Sequence, residues 1–389
     1  MINKRSIVSI ACLALLLFYS CNKKPEKISR SFCFWKTSLE TSSAEDSLLN
    51  FLSVDHFYVR YFDVDWNPFQ KEALPVGTIS KWYSCDLTHR SFTPSVFITN
   101  SVMENASAEQ LNDLAAKIKT RVVSIDSSYS ERYSEGVAYP YSDYLDRNEN
   151  LNKDSLKTIR DSVTAYAANE FQKKIKDILI DCDWTEKTKA KYFAFLKKIK
   201  EQFPDLNISA TVRLWQYKDR TASGIPPVDR CLLMCYNLNN PAQYSIKNSI
   251  CSLEELKKYI VDDSYPVPMD VALPVFNSGS IFRNGVFKGL VSNINLADYQ
   301  KDTVNYKQLK ENTFMFKTEQ IIGNTLIRYG DELRIDQLTT AELSDISDFL
   351  SSNLKLNENS RVTFFSWDTS YIKNYSIENI KKYYHLFEH

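Results

Sequence analysis

Glycine is scarce, with 8 in 389 residues, and none sits in a G-x-G-x-x-G or G-K-[ST] turn. That absence removes the backbone cradles that hold dinucleotides and nucleotide phosphates. Histidine is rarer still at 4, and no H-E-x-x-H pair or spaced Cys/His cluster occurs, which excludes the common zinc sites. No G-x-S-x-G turn presents a nucleophilic serine. Lys plus Arg and Asp plus Glu both number 48, so no excess of either sign marks a nucleic-acid partner. Neither Asp-x-Asp pair lies in a calcium-loop context, and neither a metal nor a cofactor is expected.

What is present begins with a leader. Asn3-Lys4-Arg5 is basic, Ser6 to Phe18 is a short apolar core, and Ser20 precedes Cys21. The core is too short for a comfortable membrane span and reads as a secretory signal. A small residue before cysteine resembles a bacterial lipoprotein signal. Residues 1–20 are then removed, Cys21 carries the lipid, and residues 21–29 form a tether. The expectation is a chain in the bacterial cell envelope, anchored to a membrane through its N-terminal lipid. Six cysteines remain in the body: Cys33, Cys85, Cys182, Cys231, Cys235 and Cys251. Their spacing fits no zinc or redox motif, and three sit inside apolar runs where thiols act as small hydrophobes.

Apolar runs rich in β-branched and aromatic residues then recur along the chain. The strand candidates are 31–37, 56–66, 94–100, 177–185, 208–216, 231–238, 269–276 and 361–367. Helical patterns separate most of them. Ser107-Ala-Glu-Gln opens one as a capping box, and 153–176, 188–203, 340–350 and 377–387 supply others. Residues 126–150, rich in Ser, Asn, Asp and Tyr, read as a long loop or insertion. Strands separated by helices imply parallel neighbours, and eight such units imply a (β/α)8 TIM-type barrel. Strands 1–7 fall in residues 30–277. A small α+β insertion occupies 278–338, before the seventh helix, and 339–389 completes the barrel. A doubly wound open sheet is the alternative, weakened by the missing Gly-rich turn.

Active sites of such barrels form at the C-terminal strand ends. The fourth strand, D-I-L-I-D-C-D-W-T, ends with Asp181 and Asp183 on one face, a costly arrangement unless the acids are paired or functional. The second strand likewise ends Asp63-Val-Asp65-Trp. Asn100, Arg213, Trp215, Gln216, Tyr236, Asn237, Phe276, Asn277, Trp367 and Asp368 fall at other strand ends. Carboxylates, amides and aromatic planes suit a polyhydroxylated ligand, and a carbohydrate is the expected partner. Arg213 is placed to neutralise Asp181 or Asp183 from the neighbouring strand. The alternative is an Asp–Arg network that only fills the barrel.

The fourth-strand segment resembles the signature of the family 18 glycoside hydrolases, the chitinase-like barrels. Their Asp-x-x-Asp-x-Asp-x-Glu places its second and third aspartates on Asp181 and Asp183. Met234, Tyr236 and Asn237 are similar to the family's Met-x-Tyr-Asp, and the seventh strand and Trp367 also fit. The resemblance implies hydrolysis of an amino-sugar glycan assisted by the substrate's acetamido group, with Asp183 and Tyr236 orienting that group. Its departures are Ile178 for the first Asp, Thr185 for the general acid, and Asn237 for the last Asp. Glu186 is one residue out of phase on a strand, and Asp63 or Asp65 are the other candidate acids. Two readings stay open: a glycosidase with a rearranged acid, and a non-catalytic descendant that binds glycan or protein.

Overall fold

The structure is a computed structural model that describes residues 24–388, except 80, 85, 86, 88, 148–152, 261–263, 293 and 324. The leader, Cys21 and Cys85 lie outside the described residues. Among those described, no helix is long and apolar enough to cross a membrane.

Eight parallel strands close into a barrel: Ser29–Phe34, His56–Asn67, Ser91–Ile98, Asp177–Asp181, Asn207–Arg213, Arg230–Met234, Met269–Pro274 and Arg361–Phe365. Each pairs in parallel with its sequence neighbours in the barrel, and the first strand closes the ring against both the second and the eighth. The chain is a (β/α)8 TIM-type barrel. Outward residues such as Ile178 and Ile180 meet the surrounding helices, where Tyr192 donates to the Ile180 carbonyl at 2.9 Å.

The inward residues of the fourth strand show how the interior is layered. Asp177, Leu179 and Asp181 alternate along it, so one acid lies at the base and one at the mouth. At the base, Asp177 takes bonds from Thr93 and Arg361. Asp270, fully buried, accepts from the Tyr58 hydroxyl at 2.6 Å, Arg230 at 2.6 Å and the Arg361 amide at 2.7 Å. His56 bridges Ser91 and Thr93, at 2.8 and 3.0 Å. This charged plug fills the N-terminal end of the barrel.

Two departures from the sequence pattern matter. First, the stretch beginning at residue 126 is not a loop: the helix Ala108–Asp146 runs through it and packs against the helix Lys153–Lys173. Its buried face carries Asp126, Ser130, Ser134 and Ala138 at four-residue spacing. Small and polar residues there conceal the helical period that apolar residues would reveal. Second, the fifth strand stops at Arg213, and Leu214–Lys218 is a short helix.

Residues 278–336 build a separate five-stranded antiparallel sheet after the seventh strand. Its order is Val286–Ser292, Ser278–Arg283, Glu332–Asp336, Thr313–Phe316, Tyr306–Lys310. Ile281, Phe314, Phe316, Leu333 and Ile335 form its own core. Gly279 is required by close approach: a Cβ there would lie 2.2 Å from Ile294.

Candidate functional site

At the C-terminal mouth, Asp181 is buried and accepts a hydrogen bond from Thr211 Oγ1 at 2.6 Å. Burial pushes its carboxyl up to about 7, and the charges of Asp183 and Asp63 add to that, while Thr211 and Arg213 oppose it. Asp183 is half-exposed and held by Arg213 through both carboxylate oxygens, to Nε and Nη2. Burial works against the charge on Arg213, but the bonds and charge of Asp183 outweigh it and raise the guanidinium pKa.

Asp63 lies on the other side. A bulge in the second strand between Arg60 and Phe62 adds a residue, so Arg60 and Asp63 come to the same face and form an ion pair. Gly77, at φ +56°, packs against that guanidinium; a Cβ there would meet Arg60 Nη2 at 2.6 Å. Two Arg–Asp pairs therefore flank Asp181.

The opposite wall is aromatic. The Tyr236 ring stacks on Phe365, with centroids 5.0 Å apart at 29°, and Phe276 meets Phe365 edge-on at 5.7 Å. Trp35, half-buried, packs on Phe365 at 5.5 Å. Burial raises the Tyr236 phenol well above its ordinary pKa, and the charge of Asp181 reinforces the shift. Tyr236 is a neutral phenol within electrostatic reach of Asp181 and Arg213. Among the described residues, no three His, Cys, Asp or Glu side chains gather to hold a metal ion.

No protein-family model matches this chain, and no curated protein matches it. Several solved structures do. The Bacillus cereus spore cortex-lytic enzyme SleL aligns at 13% identity and a TM-score of 0.42, covering 94% of this chain and 75% of that one. The xylanase-A-amylase inhibitor protein XAIP-III aligns at 8% and 0.39, covering 93% and 98%. Active domain 2 of the thermostable chitinase from Pyrococcus furiosus aligns at 10% and 0.34, covering 94% and 95%. Likeness at this level carries no argument about chemistry, which rests on the residues at the mouth.

Those residues sort into groups. Asp181, Asp183, Arg213, Tyr236 and Phe276 converge, with Asp63 within electrostatic reach of Asp181. Asp65 is exposed at the rim and accepts from Thr99 Oγ1 at 2.7 Å. Asn100 accepts from Thr188 Oγ1 at 2.7 Å, and Thr188 Oγ1 also takes the Thr185 amide at 2.9 Å, so Asn100 serves the turn after the fourth strand. Glu186 is exposed on that turn. Asn237, at φ +56°, is exposed beyond Tyr236.

Three positions differ from the strand-based expectation. Gln216 is buried with both amide ends engaged, to the Arg213 amide at 2.7 Å and the Trp184 carbonyl at 2.8 Å, so it caps the short helix rather than facing a ligand. Trp215 lies half-buried on that helix, off the strand parity of Arg213. Trp367 is buried against Phe32 at 4.9 Å, outside the barrel lumen, and offers no open platform. Sequence reasoning passed over Trp35, Phe365 and Arg60. The alternation Ser31, Cys33, Trp35 carried the signal for the first of these.

Proposed function

We propose that the barrel mouth binds a glycan and does not hydrolyse it. The observation that carries this reading is the two-point grip of Arg213 on Asp183. A carboxylate engaged at both oxygens is a fixed hydrogen-bond wall, not a group free to orient a reacting acetamide. Position 185, where the resemblance places the proton donor, is a threonine facing Thr188. Half-buried Trp35 and Phe365 supply apolar planes for sugar C–H faces, and the flanking carboxylates accept from hydroxyls.

The test is calorimetric titration of the full chain, in detergent, with chitohexaose and neutral plant oligosaccharides, followed by mass analysis of the sugars. The expected result is saturable binding that Trp35→Ala weakens, with every oligosaccharide recovered intact. No binding to any oligosaccharide would end this reading. A second reading rests on Asp181 itself: the carboxyl is buried at the mouth, which pushes it up to about 7, with Asp63 within electrostatic reach. If sugars are released and Asp181→Asn abolishes the release, a glycosidase with a relocated acid replaces the binding protein.

The leader supports anchoring in the bacterial envelope through a lipid on Cys21. Cys21→Ser is expected to release the protein from the membrane fraction. Equal retention of the variant would count against the lipid.

A further inference from the structure

A second cleft lies between the loop after the sixth strand and the inserted sheet. The loop is closed by backbone bonds from Leu238 to Ile250 and from Asn239 to Ser249, both 3.2 Å. It is clamped to the sheet by Arg334, which is buried. Arg334 pairs with Asp336 at 2.9 Å and donates to the Gln243 carbonyl at 2.8 Å and the Pro241 carbonyl at 3.1 Å. Asp336 in turn accepts the Ser249 amide at 3.1 Å. The cleft walls are therefore fixed to each other.

The cavity is about 260 Å³ and is lined by Tyr244, Lys247, Phe282, Lys310, Glu311 and Asn312, with Arg334 behind them. That volume lies below the roughly 300–1,000 Å³ of drug-sized sites and suits a single ring. The Tyr244 and Phe282 rings stand at 86° with centroids 5.1 Å apart, forming an apolar corner. Glu332 takes the Tyr244 hydroxyl at 2.6 Å and fixes that ring without itself lining the cavity. Lys310 Nζ lies 5.3 Å from the Tyr244 centroid. Lys247 and Lys310 make no ion pair among the described residues. Arg334 is neutralised by Asp336, so the unpaired lining charges are two lysines against Glu311.

We propose that this cleft binds one acidic sugar ring, of the hexuronate class, independently of the mouth. The ring's C–H face would rest in the Tyr244–Phe282 corner. Its carboxylate would meet Lys247 and Lys310, and its hydroxyls would meet Glu311 and Asn312. A neutral sugar leaves both ammonium groups without a partner, and a bare anion leaves the aromatic corner empty. The site thus selects for both features together.

The experiment is titration of the full chain, in detergent, with sodium glucuronate, glucose and inorganic phosphate in parallel. Glucuronate is expected to bind at one site, with glucose and phosphate each weaker. Lys247→Gln and Lys310→Gln, both at exposed positions, are each expected to weaken glucuronate about two- to fivefold, a loss that added salt reproduces. Tyr244→Leu, whose melting temperature checks the fold, is expected to weaken glucuronate and leave phosphate unchanged. Trp35→Ala at the mouth is expected to leave glucuronate binding intact. The proposal is overturned if glucuronate does not bind, if phosphate binds as tightly, or if the loss follows Trp35 rather than the two lysines. Because the mouth is tested with neutral oligosaccharides, failure at either site leaves the other standing.

Discussion

Arg213 holds Asp183 from the end of the neighbouring strand, and Asp181 lies beside that pair with its carboxyl raised to about 7. The three groups share one electrostatic balance. Burial and the Asp183 charge favour the neutral form of Asp181, while Arg213 favours the charged form. Replacing Arg213 by Met is therefore expected to raise the Asp181 midpoint, and Asp183→Asn to lower it. Carboxyl ¹³C NMR titration of aspartate-labelled protein reads both shifts. Movement in the same direction in the two variants would show that the charges are not coupled in this way.

The same carboxyl predicts a stability profile. The folded state holds the Asp181 proton to about 7, whereas an unfolded aspartate releases it near the ordinary 3.8. Between those values the folded state binds more protons, so stability falls as pH rises through that window and levels off above it. A shift of this size corresponds to a few kcal/mol at most, on the order of 1.4 kcal/mol per pKa unit. Asp126, raised to about 6 chiefly by burial, contributes with the same sign. Asp181→Asn keeps an acceptor for Thr211 and is expected to flatten the decline. Urea unfolding at pH 5, 6, 7 and 8 checks it, and an unchanged slope in the variant would refute the assignment.

Both the mouth acids and the barrel were legible because they obey simple periods. Each barrel strand is a short apolar run, and Asp177, Leu179 and Asp181 alternate as an inward face must. What escaped the sequence has local causes. The bulge before Phe62 inverts the parity of the second strand, so Arg60 and Asp63 meet although three residues apart. The fifth strand ends early because Gln216 folds back onto the Arg213 amide, which takes Trp215 out of the strand. The helix through residue 126 buries serines and an aspartate, the latter accepting from Tyr61 at 2.6 Å, and such a face has no hydrophobic signature. Trp367 has the right position in the chain but its ring packs on Phe32, although its amide still bonds to the Cys33 carbonyl of the first strand at 2.9 Å.

The base of the barrel is a stability element, separate from the site. Asp270 faces Arg230 and Arg361 in full burial. Removing it leaves Arg230, the Tyr58 hydroxyl and the Arg361 amide without their acceptor, while the Arg361 guanidinium keeps Asp177. Asp270→Leu is expected to cost roughly 3–5 kcal/mol, the usual result of breaking a buried pair from one side. Urea unfolding measures this. Phe276 lies six residues further along the same chain, about 20 Å away if extended, so oligosaccharide binding by the folded fraction is expected to be unchanged.

Five thiols should be silent in the native protein. Cys33, Cys182, Cys231, Cys235 and Cys251 are buried and unbridged, and burial is the main cause that raises each thiol, Cys33 and Cys251 up to about 12. Neither accessibility nor thiolate character favours reaction. Iodoacetamide at neutral pH, followed by peptide mass analysis, is expected to leave these five unmodified until denaturant is added. Rapid native labelling of any of them would place that thiol in solvent.

Restoring an acid at position 185 is expected not to restore hydrolysis. Thr185 sits half-buried on a turn held by Thr188, whose hydroxyl takes the Thr185 amide at 2.9 Å and donates to Asn100 at 2.7 Å. Thr185→Glu keeps the amide bond and supplies a carboxyl where the family resemblance expects a proton donor. Yet Asp183 still faces Arg213, and general acid catalysis, worth roughly 10²–10⁴-fold, acts only on a substrate already oriented. A fluorogenic chitobioside is therefore expected to stay intact with Thr185→Glu alone. Any turnover should require Arg213→Met in the same chain. If the single substitution released the fluorophore as fast as the double one, the grip of Arg213 on Asp183 would not be what limits turnover in these variants.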